Sequence, residues 1–310
     1  MDSLKNNFSS VNLIQFYFLV ISVAVIFLGT LINFFEIYLP AFILKTFRCG
    51  KHAYKGTTNL PTIEFPKSSF KHFYQVGLLC SVFTYPFVFA TYVLDFKVPF
   101  FFSRSLFHCN CEGKQDSGTS ATEVFVAMSL INLQIIRRFY DTHFISIFGK
   151  NSKINLTHWI VGMTYYPMVI LSILCEAPNF TTSAELKKAN LYDLGLLEVF
   201  GILLFFWSWW HQHVCTVILA NLRKTKKGNI NDYKLPIGDW FEYVSSPHCS
   251  AEILMYFALT ILLWKSSTWW YVMLWVLSNQ IESILLSHWW YQETFKHFPE
   301  TRKALIPFIY

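Results

Sequence analysis

No Gly-x-Gly occurs anywhere in this chain of 310 residues. The dinucleotide fingerprint and the P-loop both need closely spaced glycines so that the backbone can approach phosphate, so any nucleotide is held differently here. A G-x-S-x-G nucleophile elbow is missing too, which leaves ordinary serine hydrolysis without support. The 10 histidines are scattered, with only His211 and His213 close together. Membrane di-iron enzymes need repeated His boxes because each iron takes several imidazoles, and that class does not fit. The 7 cysteines sit mostly in or beside apolar segments. His108, Cys109 and Cys111 in "HCNCEGK" lack the paired spacing of a zinc site, and no metal is expected. Charge is the scarcest commodity: Asp, Glu, Lys and Arg make up 14% of the chain, against roughly 25% in a soluble domain.

What the chain has instead is grease. It is 54% hydrophobic and 19% aromatic, with a mean hydropathy of +0.36, the composition of a membrane protein. A helical crossing takes about 20 mostly apolar residues. Candidate spans lie at 8–37, 74–94, 124–147, 158–174, 194–219, 251–264 and 268–286. The third carries a basic interruption and the sixth is short. The loops between them are too short for a separate soluble core, so the expected fold is an all-α integral membrane protein of about seven transmembrane helices, one domain over 1–310. The first apolar run is too long for a signal-peptide core of about 7–15 residues and reads as a retained anchor.

Most of the 25 Lys and Arg residues fall in four clusters, at 45–71, 137–153, 223–234 and 296–303. With seven spans all four lie on one side, which the positive-inside rule makes cytoplasmic. The amino terminus is then luminal and the carboxyl terminus cytoplasmic. Of the three glycosylation sequons, Asn7 and Asn179 are expected on the luminal side and Asn155 on the cytoplasmic side.

Polar residues concentrate in the last third, on the basic face. Arg223, Lys224, Lys226 and Lys227 suit a polyanion, either acidic lipid headgroups or the phosphates of a small nucleotide; no nucleic acid is expected. In "DYKLPIGDWFEYVSSPH", Pro236 and Gly238 mark a turn, and Pro247 with His248 opens a helix whose free N–H groups favour an anion. His248 and Glu252 share one face of that helix, and a carboxylate in a membrane helix is a functional candidate. Further on, "SNQIESILLSHWWYQETF" places His288 and Tyr291 on one face, a pair able to donate protons to a developing oxyanion. Trp289 and Trp290 read as an interfacial belt.

The segments "KLPIGDWFEYVSSPHCSAEIL", "NLRK" (Asn221 to Lys224), "SHWWY" and the ending "FPETRKALIPFIY" closely resemble the carboxyl-terminal half of the steroid 5α-reductase family, nearest its polyprenal (polyprenol) reductase branch. Residues 190–310 are the most family-like. "LQIIRRFYDTHFISIFGKN" extends the resemblance to most of the chain past residue 70. The resemblance implies a seven-helix fold in the endoplasmic reticulum membrane with NADPH held between helices and cytoplasmic loops. It places Arg138, Arg223, Lys234, His248 and Glu252 around the cofactor, and His288 and Tyr291 at the reacting end. Steroid-reducing members are known for a Glu on an early helix and a Tyr on a central one. Here Glu36 is out of register with "LPAF" and the central position is Ile135 or Gln134, so those roles do not carry over.

Chemistry narrows the substrate. Hydride adds to a carbon–carbon double bond when the electrons have an acceptor, as in an enal whose oxygen becomes an enolate. An allylic alcohol has none. The expected substrate is therefore the aldehyde polyprenal, reduced at its α-isoprene double bond to dolichal, the precursor of the lipid carrier for N-glycosylation. Three alternatives stay open: a steroid 4-ene-3-one reductase, a non-catalytic lipid-binding protein and an isoprenylcysteine methyltransferase using S-adenosylmethionine.

Overall fold

Asn12 starts the first helix. Its side-chain oxygen accepts from the backbone N–H of Ile14 and Gln15 at 3.0 Å each, satisfying two donors that a helix start leaves free. From there α1 (Leu13–Phe35) runs for 23 residues. The computed structural model describes residues 12–48, 56, 62–99, 103–104, 106, 118–149, 152–180, 186–224 and 233–306. Asn7, His108, Cys109, Cys111, Lys226 and Lys227 lie outside them. Among the described residues no group of His, Cys, Asp and Glu could hold a metal ion.

After a short α2 (Ala41–Phe47) come β1 (Glu64–Pro66) and α3 (Phe70–Val93). Next, α4 (Ala121–Tyr140) opens on a capping box, in which Glu123 N–H donates to Ser120 and Ser120 N–H donates to Glu123, a reciprocal lock that fixes where it begins. It ends in a π-helical turn, Asp141–Ile145. β2 (Lys153–Asn155) then pairs antiparallel with β1, Phe65 opposite Ile154. The rest is helical: α5 (Leu156–Leu174), α6 (Leu196–Lys224), a 3-10 turn (Asp239–Glu242), α7 (Pro247–Leu262) and α8 (Ser267–Thr294). Pro247 occupies the first turn of α7, where its missing N–H costs nothing.

Four helical segments are long and apolar enough to cross a membrane: Leu13–Tyr38, Lys67–Val93, Leu156–Leu174 and Leu196–Lys224. The other long helices depart from the simple pattern for visible reasons. α4 carries Gln134, Arg137 and Arg138 in its last turns, α7 has 16 residues, and α8 includes Asn279, Gln280 and Glu282. Their boundaries also differ from the apolar runs. α8 continues eight residues past 286, over a stretch where His288 and Tyr291 pack on Phe298 of the following chain, whereas 251–264 overlaps a helix that begins at Pro247 and ends at Leu262.

α6 lies along α7, α1 along α8, and α3 along both α4 and α5, with α7 packed on α8. One continuous core runs through the bundle, and a small second one gathers Cys249, Ile284 and Ala304 under the carboxyl-terminal segment. α1 turns Leu13, Phe16, Val20, Val23 and Phe27 outward, an apolar surface of the kind that lipid covers. Its inner edge is tied by polar contacts. Gln15 Nε2 donates to Ser267 Oγ at 3.0 Å, and Asn33 Nδ2 to both oxygens of Glu282 at 3.1 and 3.2 Å.

The asparagines of two sequons are buried. Asn179 exchanges hydrogen bonds with the Lys187 backbone at 2.7 and 2.9 Å, and Asn155 donates to the carbonyls of Lys45 and Thr46. The side-chain amide of Asn179 is thereby committed to hydrogen bonds inside the fold.

Candidate functional site

Gln134, Arg137, Arg138 and Asp141 follow one another at intervals of three, one and three, which puts all four on one side of α4. That side faces α3, α6 and α7. Arg137 donates through Nη2 to Gln134 Oε1 at 2.7 Å and to Gln212 Oε1, and through Nη1 to Asp141 Oδ2 at 3.3 Å. Asp141 Oδ1 lies 2.7 Å from His213 Nδ1 on α6. Gln134 Nε2 donates to Gln212 at 3.0 Å and to Glu252 Oε2 at 3.2 Å. Gln212 Nε2 reaches Glu252 and also the His248 carbonyl, at 3.1 Å. One glutamine of α6 thereby joins α4 to the first turns of α7.

Gln134, Arg137, Asp141, Gln212 and Glu252 are all buried. Charges taken out of water survive only when paired and hydrogen-bonded, and here the Arg137 guanidinium is paired with Asp141 while the Glu252 carboxylate accepts from the amides of Gln134 and Gln212. Arg138 turns to the α3 side, where it donates to the Tyr74 hydroxyl at 3.1 and 2.7 Å and lies 4.9 Å over the Tyr74 ring. Beyond Tyr74 runs an aromatic wall, Tyr166, Tyr165, Tyr256 and Trp269, with successive ring centres 5.1 to 6.3 Å apart. Arg137 rests on Trp209 at 5.2 Å.

A second cluster lies where α8 meets the carboxyl-terminal segment. His288 Nδ1 is 2.7 Å from Ser245 Oγ, which also donates to the Lys303 carbonyl at 3.3 Å. The Ser245 and Lys303 N–H groups tie the two strands of chain, donating to Lys303 O and Tyr243 O at 2.9 Å each. Tyr291 is buried and stacks on Phe298 at 6.3 Å, and the His288 ring meets Phe298 edge-on. Arg302 is buried beside them, donating to the Pro236 carbonyl at 3.0 Å. Burial holds its pKa below the ordinary arginine value, with Glu242 and Tyr291 opposing.

The residues singled out by sequence divide between these places. Glu252 and the His248 backbone join the network, and Arg138 borders it. His288 and Tyr291 stand in the second cluster. Arg223 ends α6 with Nη1 on the Ile147 carbonyl, and Lys234 is exposed beside Tyr233, whose ring packs on Trp290 at 4.9 Å. Glu36 forms a bidentate pair with Arg48 at 2.9 and 2.8 Å, apart from both clusters. Sequence reasoning did not single out Tyr74, Arg137, Asp141, Gln212 or His213 as site residues. The polar spacing from Gln134 to Asp141 was the available signal, since four polar residues on one side of a membrane helix need partners inside the protein.

The sequence profile of the 3-oxo-5-alpha-steroid 4-dehydrogenase family matches residues 152–310. A polyprenal reductase of Drosophila melanogaster is 37% identical over 313 residues, covering 96% of this chain and 94% of that protein. The polyprenal reductase of Homo sapiens is 32% identical over 267 residues, 85% and 83% of the two chains. That of Caenorhabditis elegans is 32% identical over 258 residues, 80% of each.

Proposed function

Because the chain belongs to the 3-oxo-5-alpha-steroid 4-dehydrogenase family, whose reductases use a nicotinamide cofactor, we propose that it reduces the α-isoprene double bond of polyprenal with NADPH. The single observation that carries this reading beyond the relatives' names is the buried network joining α4, α6 and α7, which sets charged and amide groups inside an otherwise apolar bundle. The residues fit such a cofactor. Arg137 Nε and the Trp209 indole N–H below it are buried without a hydrogen-bond partner, so donors remain for a polar ligand. Arg223 and Lys234 would hold phosphate, including the 2′-phosphate; Arg138, His248 and Glu252 would hold the rest. The cofactor supplies hydride to C3 of the enal.

The chain's own part is to manage the charge that hydride addition leaves on the aldehyde oxygen. His288 stabilises that oxygen, helped by Tyr291, and a proton reaches C2. With its hydroxyl hydrogen given to Lys303 O, Ser245 would receive Nδ1–H from His288. Nε2 would then be the nitrogen left for the substrate oxygen, able to donate when the ring is protonated. Ser245 and Tyr291 beside His288 are buried, and electrostatic stabilisation is worth more where water is scarce than in bulk water.

The same reading gives a multi-pass protein of the endoplasmic reticulum membrane with seven spans, the amino terminus luminal and the carboxyl terminus cytoplasmic. Its product would feed the dolichol carrier of N-glycosylation. The test is purified protein supplied with NADPH and either polyprenal or a steroid 4-ene-3-one. Oxidation of NADPH with polyprenal and not with the steroid is the expected result. Turnover of the steroid alone would select the other branch of the family, and turnover of neither would leave a lipid-binding protein.

A further inference from the structure

Asp239 occupies a backbone conformation that residues with a side chain rarely adopt. Its φ is +50°, directly after Gly238 at +93°, and only glycine takes such angles without steric penalty. The side chain shows what keeps an aspartate there. Its carboxylate oxygens lie 2.8 and 3.0 Å from His211 Nδ1 on α6. Cys215, one turn further along, donates its thiol to Oδ2 at 3.7 Å. The next residue, Trp240, stacks on the same imidazole with ring centres 4.6 Å apart and planes 23° from parallel. Trp207, one turn before His211, packs against Trp240 at 4.8 Å. Residues 207, 211 and 215 are four apart, so a single stripe of α6 grips two consecutive residues of the turn.

We propose that Asp239 is a positioning residue: through His211 its carboxylate locks the 236–246 segment onto α6 and so sets where His248 and Glu252 stand. His211 adjoins Gln212 in the chain, and Gln212 holds the His248 carbonyl and Glu252. One short stretch of α6 therefore fixes both the turn before α7 and the first turns of α7 itself. From the other side the same segment is bound by Lys303 through Tyr243 and Ser245, and by Arg302 through Pro236. Held on both sides, it has one resting place. The inference rests on the reading that this segment borders the nicotinamide nucleotide.

The experiment compares Asp239→Gly and Asp239→Asn with the unaltered full-length protein in lipid nanodiscs, measuring thermal stability and the Kd of NADPH and of NADH. Glycine relieves the backbone while removing the carboxylate. A residue serving only the turn would then be replaced with no loss of binding. The expected result is unchanged or higher thermal stability for Asp239→Gly, with both Kd values raised about tenfold, the scale of one lost charge-assisted contact. Asparagine keeps the shape and one acceptor, and should recover most of the binding. His211→Phe keeps a ring under Trp240 but no hydrogen bond, and should reproduce the glycine result from the other side of the contact. Unchanged Kd values in Asp239→Gly and His211→Phe would overturn the proposal. So would a loss confined to NADPH, which would mean direct contact with the 2′-phosphate, or an asparagine variant no better than glycine. Unaltered protein that binds neither nucleotide would instead overturn the functional reading, and this inference with it.

Discussion

The network between α4, α6 and α7 and the cluster between α8 and the carboxyl-terminal segment are both buried polar sites, yet they are built in opposite ways. In the first, nearly every bond joins one side chain to another, along α4 from Arg137 to Gln134 and Asp141 and across helices from Arg137 to Gln212, Asp141 to His213 and Gln212 to Glu252. In the second, the main chain does most of the holding, through Lys303, Tyr243 and Pro236, and the side chains are fixed by one hydroxyl and by aromatic packing on Phe298. Side chains that depend on one another form a unit that fails together. Side chains placed by a backbone frame can be exchanged singly, so the second cluster is where chemistry can be altered without collapse of the bundle.

The largest effect should therefore come from the network. Asp141→Leu strands the buried Arg137 guanidinium and should destabilise the protein by roughly 3–5 kcal/mol, read as loss of folded protein in thermal unfolding. The double variant Arg137→Leu with Asp141→Leu should recover part of that loss. Additive effects would mean that the two regions do not differ in this way. In the second cluster, His288→Ala should fold and bind NADPH normally but lower kcat about 100-fold with the KM for polyprenal nearly unchanged, because the group acts on charge present only in the transition state. His288→Gln should fall between. Normal turnover by His288→Ala would return the residue to an interfacial role.

At the basic end of α6 and just beyond it, Arg223→Ala or Lys234→Ala should weaken NADPH about tenfold and NADH less, since a charge-assisted bond worth roughly 1.5–3 kcal/mol is lost only with the 2′-phosphate present. Equal loss for both nucleotides would move the phosphate site elsewhere. The smallest effect belongs to Ser245→Ala. With Nδ1–H held by Ser245, neutral His288 has no proton on Nε2; burial, and then Lys303, hold its pKa below the ordinary histidine value of 6.5, so turnover should fall as pH rises through the mildly acid range in which the ring deprotonates. Freed from Ser245, the neutral ring can carry its proton on Nε2 and still donate. That decline in kcat should then become shallower by a few-fold at most, and an identical pH profile would mean that the Ser245 contact does not set the tautomer.

Some of this was readable before any coordinates. Pro247 as a helix start, the shared face of His248 and Glu252, and the turn at Gly238 follow from local chemistry: a fixed φ, a helical repeat and a residue without Cβ. The seven apolar or half-apolar runs correspond to the seven long helices of the described residues, although only four of the segments have the length and apolarity of a span. Local chemistry was silent on partners. Nothing near Gln212 in the chain indicates that its amide joins Gln134 and Glu252, 78 residues before it and 40 after it. Nor does anything near Asn179 show that Lys187 will occupy its side chain.

Composition and periodicity by themselves determined that this chain is helical, apolar and without a glycine-rich nucleotide loop, because those properties reside in residue types and their spacing along a few turns. The tertiary structure alone decided which polar residues share a site. Gln134, Arg137 and Asp141 found Gln212, His213 and Glu252 because a charged or amide group inside an apolar bundle must meet another such group or remain unpaired at high cost, and which groups meet depends on how α4, α6 and α7 are packed. His288 and Tyr291 were placed against Ser245, Phe298 and Lys303 for a related reason: the carboxyl-terminal segment closes over α8 through backbone hydrogen bonds, which almost any side chains would permit and which the sequence therefore does not announce.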